Sequence, residues 1–376
     1  MRAGTLPAVG SAGREARIDH RALRANAAEL VRRAEGRTIF AVLKADAYGH
    51  GAVPVAGTLV AAGCERLAVM TPGEASILRD GGVGAPILVL EGAGEEAAGE
   101  LAGRDCAAVV HHPGQVEALA RAARGGPVAV HIEIDTGMHR MGAKPEMADG
   151  LLRSAIETPG VEIEGLMTHL AHADEPDLAP TFEQLSRFRE FVKRARAAGA
   201  APRFVHFANS AALLCGPALA EACPEANAVR PGLALYGARP APHLPGELSP
   251  VMSLVGRVAS LRTVDPGAGV GYSATWRAAR ATRVATVGLG YADGIPVAAS
   301  NRGAVQIRGQ HHPMVGRVSM DSVGVEVGDA PVVVGDEAQA FGDGIPVEEA
   351  AAAASTIAYE LLVGVGGRVP RIHVGV

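Results

Sequence analysis

Apolar residues in this chain recur in two rhythms, and the change between them divides it. Up to about residue 236, short continuous apolar runs alternate with stretches whose apolar positions return every three or four residues. Runs of the first kind read as strands buried on both faces, the second as helices with one face on a core. Eight strand-like runs fall at 38–44, 66–71, 86–91, 105–111, 128–135, 161–170, 203–209 and 228–236. Helical patterns at 53–62, 73–79, 95–101, 115–123, 146–156 and 178–198 lie between most of them; the link from the seventh run to the eighth is less regular. Ahead of the series, residues 20–34 read as a helix with Leu23, Ala27, Leu30 and Val31 on one face. Eight strands alternating with helices predict a (β/α)8 barrel of the TIM type.

Near residue 240 the texture changes. Pro240, Pro242, Pro245, Gly246 and Pro250 make a linker, and the helical alternation stops. Short Val-rich runs bounded by Gly and Asp turns follow at 251–264, 283–289, 304–308, 312–318, 323–327 and 332–340, then a helix at 346–362 and a last strand at 371–376. This predicts a mostly antiparallel β domain. The expected organisation is a barrel over 20–245 and a β domain over 246–376, with residues 1–19 supplying a strand that joins the latter.

Composition narrows the classes. A formal net charge of −5 and a pI near 6.2 give no reason to expect nucleic-acid binding. No stretch is apolar and long enough to span a membrane, and residues 1–15 lack a leader-like apolar core, so a cytoplasmic protein is expected. Cys64, Cys106, Cys215 and Cys223 show no metal-ligand spacing, and no metal is expected. The lysines change the picture most: there are only three, Lys44, Lys144 and Lys193, in a chain that otherwise uses arginine for positive charge. Lys144 and Lys193 lie in polar stretches; Lys44 ends the first apolar run. A lysine there can snorkel to water, but burial lowers an amine's pKa, and a neutral amine forms Schiff bases with aldehydes.

Other chemistry-bearing residues fall at the ends of later runs, the end where such barrels carry their sites. Arg140 follows the fifth run, His169 ends the sixth, and Asn209 and Ser210 end the seventh, where Ser210 is placed to cap the next helix. Arg230 and Gly232 lie in the eighth. Singly, each reads as well as a cap, a surface charge or a core histidine; together they mark one barrel mouth. Strand alternation puts His131, Glu133 and Asp135 on one face, so Glu133 points into the barrel, where a carboxylate needs a partner.

The run Ala41-Val42-Leu43-Lys44-Ala45-Asp46-Ala47-Tyr48-Gly49-His50-Gly51 resembles the pyridoxal-phosphate attachment motif of alanine racemases. The resemblance continues through Asp135-Thr136-Gly137-Met138 with Arg140, Thr168-His169, His206 to Ser210, and Val229-Arg230-Pro231-Gly232. It extends to Gly271-Tyr272-Ser273-Ala274-Thr275, Gly290-Tyr291-Ala292-Asp293-Gly294, Ser319-Met320-Asp321 and Arg368-Val369-Pro370-Arg371. It covers the chain from about Ile18 to Ile372.

This resemblance implies a fold-type III enzyme that interconverts L- and D-alanine for peptidoglycan. Lys44 would carry pyridoxal 5′-phosphate and act as one base, Tyr272 as the other. It implies Tyr48, Ser210, Gly232 and Leu233 at the phosphate with Asn209 beside them, Arg230 at the ring nitrogen, and His169 next to Arg230. Arg140 and the Met320 N–H would meet the substrate carboxylate, with Asp321 and Tyr291 in support. It also implies a homodimer whose active sites are shared. Three positions depart from many relatives: Gly367 stands where they have tyrosine, Ser319 where they have cysteine, and Glu133 where they have a lysine carbamylated by CO2. Glu133 would give Arg140 a permanent anion. A racemase for serine, a decarboxylase of the same fold type and a cofactor-binding carrier are the competing readings.

Overall fold

In a computed structural model of the chain, the alternating part closes into a barrel of eight parallel strands. Residues 13–92 and 94–376 are described; residues 1–12 of the expected N-terminal segment lie outside them. Two compact units form, one of Leu23–Leu248, the other of Ser249–Val376 with the described residues up to Ala22.

The barrel strands are Thr38–Val42, Arg66–Val69, Ile87–Val89, Cys106–Val110, Val128–Glu133, Val161–Met167, Phe204–Ala208 and Ala228–Val229. The last pairs with the first, Thr38 opposite Ala228, and closes the ring. The expected eighth strand over 228–236 is the main departure. Pro231 cannot donate to a ladder, so the strand stops at Val229 and the chain turns through Leu233–Tyr236 as a short 3-10 helix. The helices outside the barrel start where their sequences say: Pro72–Asp80 opens with a capping box between Thr71 and Glu74.

The second unit is built on one long strand, Met252–Val264. It pairs antiparallel with Glu15–Asp19, Glu337–Phe341 and Thr282–Val287. Glu15–Asp19 pairs parallel with Arg371–Val374, one parallel pair in an otherwise antiparallel sheet. Two expectations are corrected. The run 332–340 is a strand only over Glu337–Phe341, because Gly335 at φ 94° turns the chain before it. The helix over 346–362 is two, Val347–Ala353 and Ala358–Val363, separated at Ser355 with φ 55°. Among the described residues no helix is long and apolar enough to cross a membrane.

Candidate active site

Lys44 lies one residue beyond the first barrel strand, after Leu43, at the start of a turn of the wrong hand. Ala45, Asp46, Ala47 and Tyr48 have φ of 52–54°. Left-handed conformation costs an L-residue about 1–2 kcal/mol, so four in succession persist only if their surroundings hold them. The Ala45 N–H donates to Glu74 Oε1 at 2.7 Å, and the Ala52 N–H to Asp46 Oδ1 at 2.7 Å. Ala47 to His50 are buried, and Lys44 is half-buried. Burial, then the positive charge of Arg140, lower the Lys44 pKa, against an opposing pull from Glu74. The neutral amine that a nucleophile needs is thereby favoured.

Tyr48 ends the left-handed run. Its ring lies 4.8 Å from that of Tyr236, whose hydroxyl donates to the Val42 carbonyl at 2.8 Å. A Cβ at Gly232 would stand 2.3 Å from the Tyr48 hydroxyl oxygen, so only glycine admits the tyrosine there. The Ser210 hydroxyl accepts from the N–H groups of Gly232 at 2.9 Å and Ala234 at 3.2 Å. An oxygen that accepts twice keeps its own proton to donate. Tyr48, Ser210 and the Gly232–Leu233 backbone thus come together, a donor set suited to phosphate. The helix cap expected at Ser210 falls one residue earlier: Asn209 accepts from the Ala212 N–H at 3.0 Å and caps Ser210–Leu214.

Arg230 is buried at the same mouth. It donates to His206 Nδ1 at 2.6 Å and to the Thr168 carbonyl at 2.9 Å, and stands 3.4 Å from His169 Nδ1. A guanidinium only donates, so His206 carries its proton on Nε2. That N–H faces His131 Nδ1 at 2.7 Å, which puts the His131 proton on Nε2, 3.1 Å from Glu164. Arg66 pairs with Glu164 at 2.8 Å. The donors therefore run one way through the barrel interior, from Arg230 to Glu164. Burial keeps His131 and His206 below the usual histidine range. Burial, with Arg230, Arg140 and Lys44, brings His169 down to about 3, so it is neutral at any working pH.

Glu133 is 6% exposed. Burial pushes its carboxyl up to about 7, against the pull of Arg230 and then Arg140. With Asp135, Met138, Arg140 and His169 it lines a narrow recess too tight to hold a water molecule. The loop carrying Arg140 is folded around Asp135, whose Oδ1 accepts from the N–H groups of Gly137, Met138 and His139, each at 3.0 Å.

The remaining sequence-derived candidates lie in the second unit. Tyr272 opens a 3-10 turn within a small hairpin, Gly269–Val270 with Trp276–Arg277, and is 69% exposed. Met320 and Tyr291 are also exposed. The two are knitted together: the Tyr291 N–H donates to the Ser319 carbonyl at 3.0 Å and the Ala292 N–H to the Met320 carbonyl at 3.1 Å. Gly290 makes that approach possible, since a Cβ there would lie 2.3 Å from the Met320 oxygen. Arg368 pairs with Asp321 at 2.7 Å and with the fully buried Asp293 at 2.8 Å. At Gly367 an added Cβ would meet nothing within 4 Å, so the space a larger residue would fill is open. Sequence reasoning did not single out Glu74, His131, His206 or Asp293 as supports. The signals were there without the roles: strand alternation turns His131 inward, His206 and Asp293 fall inside the matched motifs, and Thr71-x-x-Glu74 reads as a capping box.

Two family models account for the chain: that described as alanine racemase, N-terminal domain, matches residues 18–240, and that described as alanine racemase, C-terminal domain, matches residues 251–373. An alanine racemase of Sorangium cellulosum is 44% identical over 369 residues, covering 93% of this chain and 96% of its own. The crystal structure of alanine racemase from D-cycloserine-producing Streptomyces lavendulae superposes with a TM-score of 0.92 at 36% identity, covering 98% of each chain. That of Bacillus anthracis with bound L-Ala-P gives 0.88 at 34% identity, covering 98% of this chain and 96% of its own. Nothing in these relatives supports serine as the substrate.

Proposed function

The chain belongs to the alanine racemase family, and on that premise we propose that it interconverts L-alanine and D-alanine with pyridoxal 5′-phosphate held in the barrel mouth. The observation that carries the reading is the convergence on that mouth of a half-buried lysine, two hydroxyls and a buried guanidinium. The residues present fit the cofactor. Lys44 offers a nucleophilic amine for its aldehyde; Tyr48, Ser210 and the Gly232–Leu233 backbone offer donors for its phosphate; Arg230 offers N–H groups for its ring nitrogen.

Bound there, pyridoxal phosphate supplies the electron sink that an α C–H otherwise lacks. Inversion of one carbon then calls for a base on each face. Lys44 Nζ takes or returns the α proton on one face, and the Tyr272 phenolic oxygen serves the other. Arg140 pairs with the substrate carboxylate, and the Met320 N–H donates to it. Glu133 faces Arg140 and steadies it, while Asp321, fixed by Arg368, and Tyr291, bonded to the Ser319 backbone, steady the loop that carries Met320. Arg230 has no proton to give up, so the ring nitrogen it meets stays unprotonated, which disfavours side reactions. His169, neutral beside Arg230, adds no competing charge.

Tyr272 and Met320 are exposed on their own unit, and in this reading they complete the barrel mouth of a second copy, giving a homodimer with two shared sites. The product would serve as D-alanine for peptidoglycan. Purified protein supplied with the cofactor and L-alanine should yield D-alanine until both enantiomers are equal, read by chiral chromatography. No D-alanine, or faster racemisation of L-serine than of L-alanine, overturns the assignment.

A further inference from the structure

The least expected feature of the barrel mouth is its left-handed turn, and Glu74 is the side chain that fastens it. Glu74 sits in the first turn of the helix Pro72–Asp80, where a glutamate of a capping box closes on its own cap. Here it does more. Oε2 accepts from the N–H groups of Met70 at 2.7 Å and Thr71 at 3.1 Å, at the end of the second barrel strand. Oε1 reaches across and accepts from the Ala45 N–H at 2.7 Å, the residue after Lys44 and the first of the left-handed run.

One carboxylate thus ties together the C-terminal ends of neighbouring strands, Thr38–Val42 and Arg66–Val69, which pair in register below it. Nothing in an unfastened chain favours left-handed geometry at four non-glycine residues in a row. Glu74 holds the entrance to that run and the Asp46 carboxylate, through Ala52, holds its far side. What the run fixes is the offset between Lys44 at its start and Tyr48 at its end. We infer that Glu74 is a positioning residue for the attachment lysine and the phosphate tyrosine together, acting through the left-handed turn and not as a helix cap alone. This rests on the proposed role of Lys44 and Tyr48, but its physical content, the fastening of residues 44–48, does not.

The test separates the two duties of the carboxylate. Glu74→Gln leaves one acceptor oxygen where three N–H groups converge, so it cannot keep both ends. Thr71→Ala breaks the capping box and leaves the link to Ala45 intact. Amide hydrogen exchange is followed in cofactor-free protein over the peptide containing residues 44–50. The expected result is exchange roughly tenfold or more faster in Glu74→Gln, the scale of a lost hydrogen bond to a charged group, and little change in Thr71→Ala. In cofactor-loaded protein, release of the cofactor should be faster in Glu74→Gln alone. Equal exchange in the two variants, or unchanged exchange in Glu74→Gln, overturns the inference. If Glu74→Gln fails to fold, Glu74→Asp is read the same way, since the shorter carboxylate cannot span both strand ends. The exchange readout needs no bound cofactor, so a failure of the catalytic reading would appear separately, as fastened turn without cofactor on Lys44.

Discussion

Tyr48 and Gly232 are complementary at contact distance: a Cβ on residue 232 would lie 2.3 Å from the Tyr48 hydroxyl oxygen and 3.0 Å from the ring carbon that bears it. The tyrosine has no easy retreat, because its ring packs on Tyr236, which is itself fixed to the Val42 carbonyl. Gly232→Ala should therefore push the hydroxyl out of the donor set around Ser210. Losing one such donor to a charged phosphate should weaken cofactor binding by roughly tenfold or more. Titration of the cofactor-free variant by absorbance measures this; unchanged affinity would detach Tyr48 from the phosphate.

The pKa of Glu133 gives a prediction with a definite sign. A carboxyl at 4.5 in the unfolded chain rises to about 7 when folded. Between those values the folded chain holds a proton that the unfolded one has lost, so stability falls as pH rises from about 4.5 to 7 and stays reduced above. The shift corresponds to about 3 kcal/mol. Glu133→Gln should accordingly raise Tm at pH 8 and leave it nearly unchanged at pH 4. Its function should move the other way: a neutral amide holds the Arg140 guanidinium less firmly than a carboxylate, so KM for alanine should rise. In the parent enzyme KM should climb as pH falls through 7, and in Glu133→Gln that dependence should vanish. Activity should also be indifferent to removal of bicarbonate.

How much of this was legible depends on range. The barrel was readable because each of its strands announces itself locally, as an apolar run between helical patterns. The eighth strand was overrun because Leu233, Ala234 and Leu235 are as apolar as a strand, and only the lost N–H of Pro231 says otherwise. The break at Ser355 was hidden by a run of alanines that would support one continuous helix. Lys44, Arg140, His169, Ser210 and Arg230 could be found because they sit just past strand ends or, for Arg140, in the loop that follows one. What Glu74 and Asp293 hold could not be read, because their partners are 29 and 75 residues away, at Ala45 and Arg368. The handedness of residues 45–48 is likewise absent from the sequence: alanine and tyrosine have no preference for it, and the surroundings impose it.

The shared-site arrangement predicts complementation between dead enzymes. Lys44→Ala and Tyr272→Phe homodimers should each retain very little activity. Mixed under conditions that exchange subunits, they should form dimers with one intact site, drawing Lys44 from one chain and Tyr272 from the other. Activity approaching half of the parent value per mixed dimer is expected. Confirmed exchange with no recovery would mean that both bases come from one chain.

The most direct measurement locates the cofactor on the chain. Enzyme loaded with pyridoxal phosphate is reduced with borohydride, digested and mapped by mass spectrometry. With three lysines in the sequence, the outcomes are few. The expected result is a single pyridoxyl adduct, on Lys44. An adduct on Lys144 or Lys193, or no adduct in protein that has bound the cofactor, would contradict the assignment of the barrel mouth as the catalytic centre.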